Sequence, residues 1–197
     1  MKQHIIYIPG LGDKNDAFRR FALMLWRRPN IAVTHVPMQW QNHHESFEQK
    51  MTRLEQTIAR YPDRQTTLVG ESAGGSVAIT ALKRFSDRVD WTVTICGMNQ
   101  GAASVNPRYY SQNPAFKNSM LAVDETLTKL THEDRARIFT IYSSGDLTVR
   151  PHHTKLKDVR ALDIKLPGHL LSIAAVLLVR YRLVTAVAKN LTSRTKN

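Results

Sequence analysis

Short apolar runs rich in β-branched residues alternate along this chain with stretches whose apolar positions repeat every three to four residues. The runs His4–Ile8, Ile31–Val36, Thr66–Val69, Asp90–Cys96, Ile138–Tyr142 and Val159–Leu166 predict six strands. Between the first two, Phe18, Phe21, Ala22, Leu25 and Trp26 recur at helical spacing over Asp16–Arg28, behind Asn15 or Asp16 as a cap. Ser46–Arg60 carries one stripe, Phe47, Met51, Leu54 and Ile58, with Ser46 as cap and Pro62 just past the end. Further helices are expected over Ala73–Phe85, packed through Val77, Ala78, Ala81 and Leu82, and over Leu170–Lys189. Such alternation predicts an α/β fold: a doubly wound, mainly parallel six-stranded sheet with helices on both faces.

One stretch departs from the alternation. Gly97–Arg135 opens with small and polar residues, carries Tyr109, Tyr110, Pro114, Phe116 and Met120, and turns helical around Leu121–Leu130. Connections of this length are uncommon inside a domain unless they serve function, so 97–135 is expected to rise above the sheet as an excursion or partial lid. With 197 residues, 42% of them apolar, the chain fits one domain over 1–191, followed by a disordered tail at 192–197.

The single cysteine, Cys96, precludes an internal disulfide and sits in an apolar run, as a buried inert thiol would. The apolar run behind Met1 is too short for a signal-peptide core, and Leu170–Ala188 is interrupted by Arg180 and Arg182, which opposes a transmembrane reading. A cytoplasmic location is expected. The formal net charge of +12 suggests an anionic partner, but the Lys and Arg residues fall on many segments without interleaved aromatics. A solvated basic surface follows, with weak contact to anionic surfaces and no specific nucleic-acid binding.

Candidate chemistry is concentrated at three strand ends. Gly70-Glu71-Ser72-Ala73-Gly74 lies directly after one predicted strand and before a helix. In that context G-x-S-x-G places a serine on a sharp turn whose flanks tolerate only small residues, as a nucleophile requires, while the motif taken alone also fits a capping serine in a glycine-rich turn. A nucleophilic serine needs a base and an orienting acid, and candidates follow in the order Ser, Asp, His: Asp146 just past the fifth strand, His169 just past the sixth. In a parallel sheet all three share one edge. Pro9-Gly10-Leu11-Gly12 follows the first strand and offers the Leu11 N–H, which with the Ala73 N–H forms a candidate oxyanion hole. Trp40, Met98, Tyr109, Tyr110, Phe116, Leu147 and Leu170 are the expected pocket walls.

The other histidines carry less. His43 with His44 and His152 with His153 are adjacent pairs whose side chains should diverge, which weakens metal chelation, and His4, His35 and His132 lack a partnering motif. Asp163 is placed mid-strand, Asp158 at the strand's far end and Asp124 in the excursion. Neither G-x-G-x-x-G nor a P-loop pattern is present.

These residues resemble the α/β-hydrolase superfamily along essentially the whole chain. The segment from Ile141 to Val149, followed by Gly168-His169, is similar to the acid and base region of the small lidless bacterial lipases and esterases. The resemblance implies a serine hydrolase acting on small-molecule carboxylic esters of small to medium acyl chain through an acyl-enzyme, without metal or cofactor. A thioesterase or acyltransferase would use the same atoms, and a non-catalytic binding protein would keep the same fold.

Overall fold

The computed structural model describes residues 2–186; the expected tail at 192–197 and the last residues of the predicted final helix lie outside the described residues. Six strands, β1 (Gln3–Ile8), β2 (Ile31–His35), β3 (Gln65–Glu71), β4 (Trp91–Ile95), β5 (Ile138–Tyr142) and β6 (Arg160–Asp163), form one sheet in the order β2-β1-β3-β4-β5-β6. Every pairing is parallel. Because both faces are covered, the central strands β1 and β4 are buried at every position, including the polar ones, Gln3, His4, Thr92 and Thr94.

The period of two along β1 sorts its side chains into two cores. Ile6 and Ile8 pack with α2 (Phe47–Ile58), α3 (Gly74–Arg84) and α5 (Pro114–Lys129), whereas Ile5 and Tyr7 face α1 (Ala17–Met24) and α8 (His169–Leu178). α2 starts where its sequence said it would, with Ser46 and Gln49 in a reciprocal capping box.

Three expectations need correction. α1 is rotated part-way from the expected stripe: its members Ala22 and Trp26 are buried, joined by Leu23, while Phe18, Phe21 and Leu25 are exposed. Both stripes have helical spacing. Arg19 selects between them, because it shares a face with Ala22, Leu23 and Trp26 and ion-pairs inward with Glu71 at 2.6 Å, while Trp26 Nε1 donates to the Leu177 carbonyl. The predicted last helix is broken: α8 stops at Leu178, and helix resumes over 181–186. β6 also ends earlier than its apolar run, at Asp163, since Lys165 adopts a left-handed φ of 52°. Asp163 therefore stands at the carboxyl end of its strand, where it accepts from the Ser144 and Lys165 amides.

Within 97–135, α5 is built into the core beside α3: Phe116, Met120 and Val123 are buried, and Ser119 Oγ meets Ser76 Oγ at 2.9 Å. The active edge is reached by Met98, by the end of a 3-10 turn (Ala102–Ser104), by Val105 and Asn106, by Tyr109 of α4 (Pro107–Gln112) and by Phe116 of α5. The remaining helices are α6 (His132–Ala136) and α7 (Pro151–Thr154).

Buried His4 makes stability depend on pH. Its Nε2 is 2.9 Å from Thr34 Oγ1 and its ring meets the Tyr61 ring edge-on, with Arg64 and Arg60 nearby. Burial, reinforced by the two guanidiniums, pushes its pKa down from 6.5 to about 4. The unfolded chain thus takes up a proton that the folded one refuses, so this contribution to stability is full above pH 6.5 and is lost as pH falls to about 4. The urea midpoint of the native chain is expected to fall across that window more steeply than that of His4→Gln; parallel curves would remove His4 as the cause.

Candidate active site

The turn after β3 is sharply constrained. Ser72 has a φ of 49°, a left-handed conformation that costs energy for any residue bearing a Cβ and is held here by its surroundings. A Cβ on Gly70 would collide with the Gly74 carbonyl, and one on Gly74 with the Ile8 carbonyl, so the strand-to-helix reversal requires glycine at both places. The Ser72 amide donates to the Ile95 carbonyl at 3.0 Å, and the Ser72 carbonyl accepts from Gly75 at 3.0 Å and Met98 at 2.8 Å. The serine is fixed from β4 and α3 together.

His169 opens α8, just past β6, and Asp146 lies on the loop beyond β5. His169 Nε2 is 2.9 Å from Ser72 Oγ, and His169 Nδ1 is 2.6 Å from Asp146 Oδ2. Asp146 is almost fully buried, and its other oxygen accepts from the Thr148 and Val149 amides, each at 2.9 Å. Burial pushes the Asp146 carboxyl up, but the bonds from His169 and the two amides outweigh it and hold its pKa below the usual carboxylate value. Two loops lock together beneath the pair: the Gly168 amide donates to the Gly145 carbonyl at 2.9 Å, and Gly145 bridges to Pro167.

The Pro9–Gly12 loop lies over the serine, because β1 neighbours β3 with Ile8 opposite Gly70. A Cβ on Gly10 would come within 2.6 Å of Ser72 Cβ. The Leu11 and Ala73 amides are not taken by another backbone acceptor among the described residues. Ala73 is the N-cap of α3, where the helix dipole adds partial positive charge.

A buried charged network stands behind the serine, and the sequence reading missed it. Glu71 is buried on the same face as Val69 and Tyr7; Arg19 grips it through Nε at 2.8 Å and Nη2 at 2.6 Å, and Tyr7 donates its hydroxyl. Asp16 pairs with Arg19 at 2.7 Å and with His35 at 2.9 Å. Burial, then the Glu71 carboxylate, pushes the Tyr7 hydroxyl pKa well up. A carboxylate at a core-facing strand position was the available signal, since it demands a partner.

Ser72 and His169 line a cavity of about 490 Å³. Of the expected walls, Met98, Tyr109, Phe116 and Leu170 border it, and Leu11 of the candidate oxyanion loop does too. Trp40, Tyr110 and Leu147 do not. Trp40 is buried in the core, donating to the Pro9 carbonyl and packed edge-on against Phe116; Tyr110 bonds the Ala102 carbonyl; Leu147 points to solvent. Val105, Val149, Ile173, Arg150, His152 and His153 are walls the sequence did not mark. The two adjacent histidines, expected to diverge, converge on α7 with their Nε2 atoms 3.0 Å apart, while His153 Nδ1 lies 3.3 Å from the Gln100 carbonyl.

Cys96, Asp146 and His169 bring three possible metal-ligating atoms within 4.8 Å of one another. They fit a metal poorly. The carboxylate and imidazole already bond each other, and burial followed by the Asp146 charge pushes the Cys96 thiol pKa up, away from the thiolate a metal requires.

Neither a protein-family model nor a curated protein sequence matches the chain. Solved structures of other proteins do. A carboxylesterase of the thaumarchaeon Nitrososphaera gargenis superposes with a TM-score of 0.69, covering 98% of this chain and 92% of its own at 12% identity. A metagenome-derived lipolytic enzyme gives 0.63, with 100% and 95% covered at 14% identity. A serine hydrolase involved in carbazole degradation gives 0.60, with 96% and 91% covered at 13% identity. What this chain shares with them at such low identity is the path of the backbone: it has the α/β-hydrolase fold.

Proposed function

We propose that the chain is a serine hydrolase that cleaves carboxylic esters of small to medium acyl chain through an acyl-enzyme. The observation that carries this reading is the continuous hydrogen-bond chain Ser72–His169–Asp146 opening onto a cavity. Asp146 holds Nδ1 protonated, which leaves Nε2 as an acceptor facing the serine hydroxyl. As Ser72 Oγ attacks the ester carbonyl, its proton passes to His169 Nε2, and the imidazolium that forms is supported by the buried carboxylate. The same proton then goes to the leaving alcohol, and a water deprotonated by His169 releases the acid. The Leu11 and Ala73 amides receive the developing oxyanion, and loss of one such donor typically costs about 2.7–4 kcal/mol of transition-state stabilisation.

The names of the structural neighbours, esterases and lipolytic enzymes among them, support ester chemistry. The cavity sits toward the lower part of the range for small-molecule sites and has to take the acyl and alcohol parts together. p-Nitrophenyl acetate and butyrate are therefore expected to be turned over faster than the palmitate, with kcat/KM as the measurement. A reversed preference would overturn the chain-length reading, and no turnover of any of them would overturn the hydrolase reading.

A further inference from the structure

The layer formed by α1 and α8 carries apolar surface that no other described residue covers. On α1, Phe18, Phe21, Met24 and Leu25 make an outward face on which Phe21 is 59% and Met24 62% exposed. α8 contains no Asp, Glu, Lys or Arg, yet Leu171 on its outer side is 54% exposed. A helix apolar all round ordinarily belongs in a core or a lipid environment. This layer adjoins the site: Arg19 of α1 lines the cavity, and Leu170, also largely exposed, follows His169 at the cavity wall.

Charge decides what fits the surface. From Ala17 to His44 and again from Ile164 to Asn197 the sequence contains no Asp or Glu. The described part holds exposed Arg20, Arg27, Arg28, Arg180 and Arg182 around the apolar face. The basic charge that the sequence reading took as dispersed is thus unopposed on this layer, while Arg84, Arg88 and Lys129 on other elements are paired with carboxylates. A second copy docked face to face would set these arginines against one another with no carboxylate between them. An anionic bilayer surface meets both features, with headgroups taking the arginines and the acyl boundary taking the phenylalanines. We propose that the α1–α8 layer is a peripheral docking surface for anionic lipid membranes, which would hold the cavity mouth near the lipid. No helix among the described residues is long and apolar enough to cross the bilayer, so attachment would be superficial.

Co-sedimentation of the full chain with vesicles tests this independently of catalysis. Binding to phosphatidylcholine vesicles containing phosphatidylglycerol is expected to exceed binding to phosphatidylcholine alone by about tenfold or more and to weaken with salt. Phe18→Ser with Phe21→Ser should lower it roughly tenfold. Arg20→Glu should lower it about fivefold or more, whereas Arg60→Glu, at the end of α2 across the sheet, should change it less than twofold. All three altered positions of the layer are exposed, so melting temperatures should stay near the native value. Equal binding to both vesicles, equal losses for Arg20→Glu and Arg60→Glu, or a dimer in sedimentation equilibrium that Phe18→Ser with Phe21→Ser dissociates would each overturn the assignment.

Discussion

Ser72→Ala is expected to abolish ester turnover, with kcat falling by about six orders of magnitude, the scale seen when the nucleophile of a hydrogen-bonded triad is removed. The substitution is unusually clean here. Ser72 Oγ has one hydrogen-bond partner among the described residues, His169 Nε2, while everything that fixes the turn runs through the backbone: the amide to Ile95 and the carbonyl to Gly75 and Met98. Alanine keeps the Cβ, so it keeps the same left-handed strain at a φ of 49° and removes only the oxygen. Far-ultraviolet circular dichroism and the melting temperature should therefore match the native chain, and covalent labelling by a fluorophosphonate should disappear. Turnover of p-nitrophenyl butyrate comparable with the native chain would take Ser72 out of the site.

The parts of this molecule that were legible in its sequence are those governed by local rules. β1, β3 and β5 appear as short runs rich in apolar and β-branched residues because a parallel strand covered on both faces is largely buried along its length. Gly70, Gly74 and Ser72 announce the tight turn because steric exclusion at that place leaves no alternative. The meeting of Ser72, Asp146 and His169 could be expected from chain order alone, since parallel strands deliver their ends to one edge.

What was not legible depends on choices between equally good local patterns. α1 offers two apolar stripes, and only the distant carboxylate of Glu71, by drawing Arg19 inward, selects the one that is buried. The Val159–Leu166 run gives no sign that Lys165 turns left-handed and ends the ladder at Asp163. Aromatic residues near the site are ambiguous in the same manner: Trp40 and Phe116 both looked like walls, but Trp40 finds a carbonyl in the core for its indole N–H and Phe116 keeps a face on the cavity. Convergence of His152 and His153 depends on side-chain rotamers and on the distant Gln100 carbonyl beside His153, which local spacing does not encode.

The assignment of the acid can be tested through a detail of the Asp146 side chain. Its two oxygens have different tasks, Oδ1 accepting from the Thr148 and Val149 amides and Oδ2 from His169 Nδ1. In Asp146→Asn the side-chain oxygen has to remain toward the two backbone amides, because turning the NH₂ there would set donor against donor. The NH₂ is then presented to Nδ1, which must become the acceptor, so the ring proton moves to Nε2 and faces Ser72. A histidine in that tautomer cannot take the serine proton, and the imidazolium loses its counter-charge. The loop keeps its two backbone bonds, so folding should survive while kcat falls about 10⁴-fold. Asp163 is the informative control, because it stands near the same edge. Its carboxylate oxygen Oδ1 serves the Ser144 and Lys165 amides, a role that the asparagine oxygen fills equally well. Asp163→Asn should thus retain most of the native kcat, and so should Asp158→Asn, whose left-handed backbone asparagine tolerates. Near-native turnover in Asp146→Asn together with a collapse in Asp163→Asn would transfer the orienting role to Asp163 and overturn the proton path through His169 Nδ1.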